Sequence, residues 1–271
     1  MLPPTVVFCK IYRQARFTFH VNLCSNLSAP VKLPIVAGYN NPRSFWSAGG
    51  RAVVFLLAAS SIACLLCDFY QLCPMRQFTL FIFLPAMLAL AALALFDRQY
   101  GDRQLWRAVV IGLVGGLAGA IAYDLFRLPF VFAREWGISA IVPPMPLFKV
   151  FPRFGAMILG QPVEQATYSV GTQILGWTYH FSNGATFGVM YLALVGNPSS
   201  RSWVWAVLMA VGIELAMLIT PYPQTFGIPI TALFIAVTLT AHVIFGIGLG
   251  LIARILSHHA QQGLAVVPTG L

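Results

Sequence analysis

The chain has 271 residues, of which 59% are hydrophobic and only 8% charged. A soluble domain of this size carries about 25% charged residues to cover its water-facing surface, so the composition excludes an ordinary water-soluble enzyme and makes lipid the solvent for most of the surface. The formal net charge of +9 comes from 16 Lys and Arg against 7 Asp and Glu. These basic residues sit in the N-terminal stretch and between apolar runs, without interleaved aromatics, which points to phospholipid headgroups and orientation signals and away from nucleic acid.

Residues 1–50 carry Lys10, Arg13, Arg16, Lys32 and Arg43, no acidic residue, and five prolines (Pro3, Pro4, Pro30, Pro34 and Pro42). No hydrophobic period persists across them, so they read as a poorly ordered basic tail. Three origins stay open for it: a cytoplasmic tail, an Arg-rich targeting sequence, or an over-extended start, with Met75-Arg76 before an apolar run as the alternative beginning. Residues 51–256 then read as a transmembrane helix-bundle domain and 257–271 as a short C-terminal tail.

The domain contains six apolar runs, at 52–72, 78–96, 108–128, 172–196, 203–220 and 229–256. Each is near the roughly 20 residues that a helix needs to cross hydrocarbon, so the expected fold is an all-α polytopic membrane bundle of about six spans. Trp106, Trp203 and Trp205 lie near run ends, where interfacial anchors belong. Between the third and fourth runs, 129–171 is apolar but broken by Pro129, Pro143, Pro144, Pro146, Pro152 and Pro162. This stretch is expected to be interfacial or re-entrant, with a seventh span in 137–160 as the competing topology. On six spans, residues 10, 13, 16, 32, 43, 51, 98, 103, 107, 201 and 254 place eleven of the 16 basic residues on the side of the N-terminus, and Arg76, Arg127, Arg134, Lys149 and Arg153 place five on the other. The positive-inside rule then puts both termini in the cytoplasm.

The cysteines are Cys9, Cys24, Cys64, Cys67 and Cys73. An odd number, with three in or beside the first run, does not form an intramolecular disulfide framework. Cys64-Leu65-Leu66-Cys67 has the spacing of a thiol redox pair, but inside an apolar helix such thiols behave as small hydrophobes.

Ionisable groups within spans cost about 2.5–3.5 kcal/mol each on insertion scales and need a reason. The embedded candidates are Asp124, Arg127, His180, Glu214 and His242, with Asn183 one turn from His180. At helical rise His180 lies ~12 Å into its run, Glu214 ~9 Å back from the end of its run, and His242 ~20 Å into the last. The groups therefore lean toward one leaflet, beneath the proline-rich stretch and Pro221-Tyr222-Pro223. His180, Gly184 and Gly188 recur as His242, Gly246 and Gly250, and the third run steps by four through Gly112, Gly116, Ala120 and Asp124. Small residues at that step let helices approach closely in lipid, so the third, fourth and sixth runs are expected to form a tight bundle with these polar groups on its packed faces.

Several functions fit such a set. His180, Asn183, Glu214, His242, Asp124 and Arg127 are candidates for a site that binds a small polar ligand or ion, or passes protons. His180, His242 and Glu214 are candidate metal ligands, or the two histidines axial haem ligands with glycine one turn away making room for the ring. No cofactor is specified by a motif, since neither His-Glu-x-x-His nor its inverse occurs. The bland alternative is polar glue: Asp124 and Arg127 stand at i and i+3 and pair, Glu214 bonds a histidine or Tyr123, and the glycines only pack. Thr240-Ala241-His242 superficially resembles the last helix of rhomboid proteases, but the Gly-x-Ser-Gly nucleophile of those enzymes is missing and Ser182 faces away from His180.

Tyr123 to Pro129, Tyr179 to Gly184, Glu214 to Tyr222 and Ala241 to Gly246 together resemble uncharacterised prokaryotic multi-pass membrane proteins, over roughly residues 106–256. The resemblance implies one domain in a bacterial plasma membrane and no particular reaction. Transport or small-ligand binding is the leading expectation, followed by a metal- or haem-dependent oxidoreductase component, then an assembly protein.

Overall fold

A computed structural model describes residues 44–265. Most of the basic tail expected over 1–50, and the end of the expected C-terminal tail, lie outside these residues. The described chain is all helical, without a strand. Its main helices are α1 (Ala48–Phe69), α2 (Met75–Tyr100), α3 (Gln104–Val131), α4 (Val150–Leu159), α5 (Val170–Val195), α6 (Val204–Leu218) and α7 (Ala232–Ala265).

Every expected apolar run forms a helix, but only α1, α2, α3 and α7 are both long and apolar enough to cross a membrane among the described residues. The other two fall short for different reasons. α6 has 15 residues, or ~22 Å of rise against a ~30 Å hydrocarbon core. α5 has 26 residues but carries Gln173, Thr178, His180, Ser182, Asn183 and Thr186. It sits between α1, α3 and α4, so protein and not lipid receives much of its surface. The proline-rich stretch forms one helix, α4, of 10 residues, ~15 Å long and too short for a seventh span.

Local chemistry fixes the ends. Ser47 and Ser169 accept from the backbone N–H of Gly50 and Thr172 and so cap α1 and α5. Asp68 Oδ2 accepts from Met75 N at 2.6 Å and Asp97 Oδ2 from Trp106 N at 2.9 Å, so two acidic residues of the apolar domain start the helices that follow them. Pro85 has no N–H, and its ring opposes the carbonyl four residues earlier. α2 meets this with a π turn over Thr79–Phe83, just ahead of the proline.

α3 is the centre of the bundle, with α5 on one side and α7 on another. Its glycines set both contacts. A Cβ at Gly116 would lie 2.1 Å from the Gly184 carbonyl oxygen, and one at Gly188 would lie 1.9 Å from that of Gly112. Gly115 and Gly119 instead face α7, at Leu249 and Phe245, with Gly248 of α7 against Gly119. Gly246 and Gly250 turn to the backbone of Val207 and Trp203, so they seat α6 on α7. The expected cluster of the third, fourth and sixth runs is centred on α3. α5 and α7 each pack on α3, and they approach each other through side chains such as Phe187 and Phe245, whose rings are 6.4 Å apart. α4 is pinned the same way: a Cβ at Gly155 would meet the Thr172 carbonyl and one at Gly176 the Phe151 carbonyl, both at 1.8 Å. α1 completes the wall, with Ser61 and Thr186 hydroxyls 2.6 Å apart and the Tyr179 hydroxyl donating to the Ser61 carbonyl.

Candidate functional site

The polar residues of α3, α5, α6 and α7 meet below α4 and the single turn Tyr222–Thr225. A cavity of about 120 Å³ lies there, bordered by Arg127 and Tyr123 of α3, His180 and Asn183 of α5, Glu214 of α6, and His242 of α7. That is room for several waters or a small solute, since one water needs about 10–15 Å³ by this measure. Phe151 and Phe154 of α4 and Phe245 of α7 supply apolar walls, and Tyr222 lies at the end nearest the turn. The depth mismatch expected between the two histidines does not separate them, because Tyr123 spans it. Its ring centroid is 6.0 Å from that of His180 and 5.0 Å from that of His242.

Two linked charge groups border the space. His180 Nε2 lies 2.8 Å from Asp124 Oδ2, and Asp124 Oδ1 lies 3.5 Å from Arg127 Nη1. The Asp124–Arg127 contact has ion-pair distance without hydrogen-bond geometry, since both of those atoms are buried without a hydrogen-bond partner. The Arg127 guanidinium donates to the Leu147 carbonyl and lies over the rings of Tyr123, Phe148 and Phe151, with its carbon 4.7, 5.2 and 5.4 Å from their centroids. A cation held over several aromatic faces is compensated by their quadrupoles as well as by its carboxylate. Across the cavity, His242 Nδ1 lies 2.9 Å from the Thr238 carbonyl and 3.5 Å from Glu214 Oε2. Donation to that carbonyl puts the proton of a neutral ring on Nδ1.

The remaining polar atoms are informative. Asn183 Oδ1 is buried without a hydrogen-bond partner. An orphaned carbonyl of this kind costs about 1–3 kcal/mol and marks a place where a donor belongs. Asp124 stands behind His180 and does not border the cavity directly, so it orients the imidazole from the far side. Outside the spans, Arg153 of α4 pairs with Glu164 at 2.6 Å and donates to the Phe226 carbonyl, holding α4 to the Tyr222 turn. Burial pushes the Tyr222 phenol well above its usual range, so it borders the cavity as a neutral hydroxyl.

Other expectations meet different surroundings. Among the described residues no three of His, Cys, Asp and Glu come together as a set able to hold a metal ion. The space beside Gly184 and Gly246, on which a haem ring depended, is filled by Ala120 and by the Val207 backbone. Ser182 donates to the Tyr179 carbonyl of its own helix. Cys64, Cys67 and Cys73 are free thiols, with Cys64 buried against Thr79. The aromatic wall from α4 was not anticipated, although Phe151 and Phe154 step by three and so share one helical face.

Fold and site together define an all-α helix bundle of membrane type with a buried, charge-lined cavity. Comparison with family models, curated proteins and solved structures gives no match to this chain. Its function is therefore argued from this geometry.

Proposed function

We propose that the chain is a six-span membrane protein whose embedded cavity binds a proton or a small monovalent cation, as the core of a transport or ligand-binding site. On this reading α1, α2, α3, α5, α6 and α7 cross the bilayer, with the short α6 and polar α5 shielded by their neighbours, and α4 is re-entrant. The observation that carries the proposal is the convergence of His180, Asn183, Glu214, His242 and Arg127 from four helices on one cavity. Asp124 and Glu214 contribute −2 and Arg127 contributes +1, which leaves −1 with both imidazoles neutral. A low-dielectric site favours neutrality, so one bound positive charge completes the set. Two carboxylate–imidazole pairs offer a proton two places to rest, and the Asn183 carbonyl and Tyr222 hydroxyl offer a cation oxygen donors.

The purified full chain, reconstituted into liposomes loaded with a pH-sensitive dye, is expected to relax an imposed pH gradient faster than empty vesicles. Glu214→Gln is expected to return the rate to that of empty vesicles. Equal rates for the two proteins, together with no thermal stabilisation of the detergent-solubilised chain by lithium, sodium, potassium or ammonium chloride, would remove the reading.

The second reading, polar residues as glue only, has its own supporting observation. Arg127 ties α3 to the Leu147 carbonyl, and Asp124 ties α3 to α5. It accounts for Asp124 and Arg127 but leaves the cavity and the unpartnered Asn183 oxygen unexplained.

The orientation proposed is a bacterial plasma membrane with both termini cytoplasmic, supported by the eleven-to-five division of basic residues. Reporters fused after residue 256 and within 129–149 are expected to report opposite sides. A C-terminal reporter active only outside the cytoplasm would reverse the topology.

A further inference from the structure

We infer that the other end of the bundle, away from the His180 cavity, carries a binding site for a phosphate group, of the kind an anionic phospholipid presents. A hollow of about 590 Å³ lies there, bordered by Arg51 of α1, Arg107 of α3 and Arg201 of the α5–α6 connection, with Gln104, Asn197 and Ser200 among its polar neighbours. Three guanidinium groups from three separate elements border one hollow, where an anion would offset their mutual repulsion.

The chain supplies no such anion from an acidic side chain. No acidic residue borders the hollow, and among the described residues none of the three arginines is within ion-pair distance of a carboxylate. The sequence places every Asp and Glu between Asp68 and Glu214, so the segments outside the described residues hold no acidic side chain either. Asp97 and Asp102, the carboxylates near this end, accept from the backbone N–H of Trp106 and Gln104.

The site is also shaped. Gly196 ends α5 at φ +75°, and a Cβ there would lie 2.6 Å from Arg51 Nη1, so the glycine clears the space in which that guanidinium lies. The same Gly196 carbonyl accepts from the Trp46 indole N–H at 3.3 Å. An indole bonded in this way beside arginines is an arrangement of the headgroup level of a bilayer. Below the arginines the lining turns apolar, with Ile111, Leu192 and Val195. A phosphodiester fits both halves: its oxygens take paired N–H groups from guanidinium forks, and the glycerol and first methylenes lie on the apolar part. The arginines also fall on the side that collects most of the basic residues, where anionic lipids and basic pockets between helices meet. Phosphate chemistry alone is shared with soluble phosphate, and the experiment separates the two sources.

The purified full chain in neutral detergent is titrated with phosphatidylglycerol, with phosphatidylcholine, and with inorganic phosphate against chloride at equal ionic strength, following bound lipid by native mass spectrometry and melting temperature in parallel. Phosphatidylglycerol is expected to bind at least about tenfold more tightly than phosphatidylcholine, whose phosphodiester is the same but whose choline cation is repelled by the three arginines. Arg201→Gln is expected to erase that preference. Gln104→Glu, at an exposed position that places a carboxylate on the rim, is expected to do the same without touching the core. Saturable stabilisation by inorganic phosphate alone, lost in the same variants, would keep the phosphate site and assign it to a soluble ligand. Equal affinity for the two lipids with no phosphate effect, or a preference retained in both variants, would overturn the inference.

Discussion

Leucine at Gly116 is expected to abolish the stably folded protein. A Cβ there would lie 2.1 Å from the Gly184 carbonyl oxygen, and a backbone carbonyl cannot swing aside as a side chain would. α3 has little room to retreat, because on its other side Gly115 and Gly119 seat α7, with Cβ positions 3.1 Å from Leu249 Cδ1 and 2.7 Å from the Phe245 carbonyl oxygen. Overpacking usually costs about 1–3 kcal/mol where neighbours can shift. With both flanks of α3 held by backbone, the cost is expected at or above ~3 kcal/mol, a large part of the stability of an ordinary domain. Size-exclusion profiles and thermal melts in detergent give the measure. Gly212→Ala is the control: nothing lies within 4 Å of its Cβ position, and alanine is the better helix former, so its melt is expected to match or exceed the parent. Two equally well-folded variants would show that the α3–α5 contact is looser than its glycines require.

Asp124→Ala is expected to be nearly as damaging, through charge instead of volume. It leaves the buried Arg127 guanidinium with the Leu147 carbonyl and three aromatic faces, and removes the partner of His180. Breaking one side of a buried pair costs about 3–5 kcal/mol, because the remaining charge is uncompensated. Replacing both partners by apolar residues of similar size, as in Asp124→Leu with Arg127→Met, is expected to cost less than the sum of the single changes by at least ~1 kcal/mol. Denaturation of the four proteins in the same detergent closes the cycle. Additivity within ~0.5 kcal/mol would show that the two side chains do not share their burial. Flux through Asp124→Asn, which keeps shape and hydrogen-bonding capacity, then separates a role in proton or cation binding from a role in holding α3 to α5.

The sequence made the apolar helical runs and the polar groups within them legible, because each rests on a local rule. Apolar length marks the runs, and a charged residue within one stands out. His180, Glu214 and His242 could be placed on one side of the bundle by counting rise along three helices. What stayed hidden was which helix faces which. Gly246 and Gly250 have the same spacing as Gly184 and Gly188, yet one pair seats α6 and the other α3. Spacing defines a face but not its partner. Two of the six runs fall outside the four long apolar helices, for different reasons. A run of apolar letters at 203–220 becomes a helix of 15 residues once Trp203 and the turn at Ile219 are excluded. The polar letters of α5 cease to be a defect once protein surrounds them. Asp97 escaped notice although it is fully buried, because its partner is a backbone N–H nine residues away, across a turn that no motif announces.

The backbone contact between α4 and α5 bears on the order of assembly. Gly155 and Gly176 join the two helices so closely that neither face has a use without the other, and α4 alone is too short to remain in hydrocarbon with its ends satisfied. α4 is therefore expected to dock fully only once α5, made after it, is in place. Until then the wall that Phe151 and Phe154 of α4 give the cavity is expected to be incomplete. On the proposed topology, a variant blocked at Gly155 is expected to insert its other helices and to lack the α4 wall of the cavity.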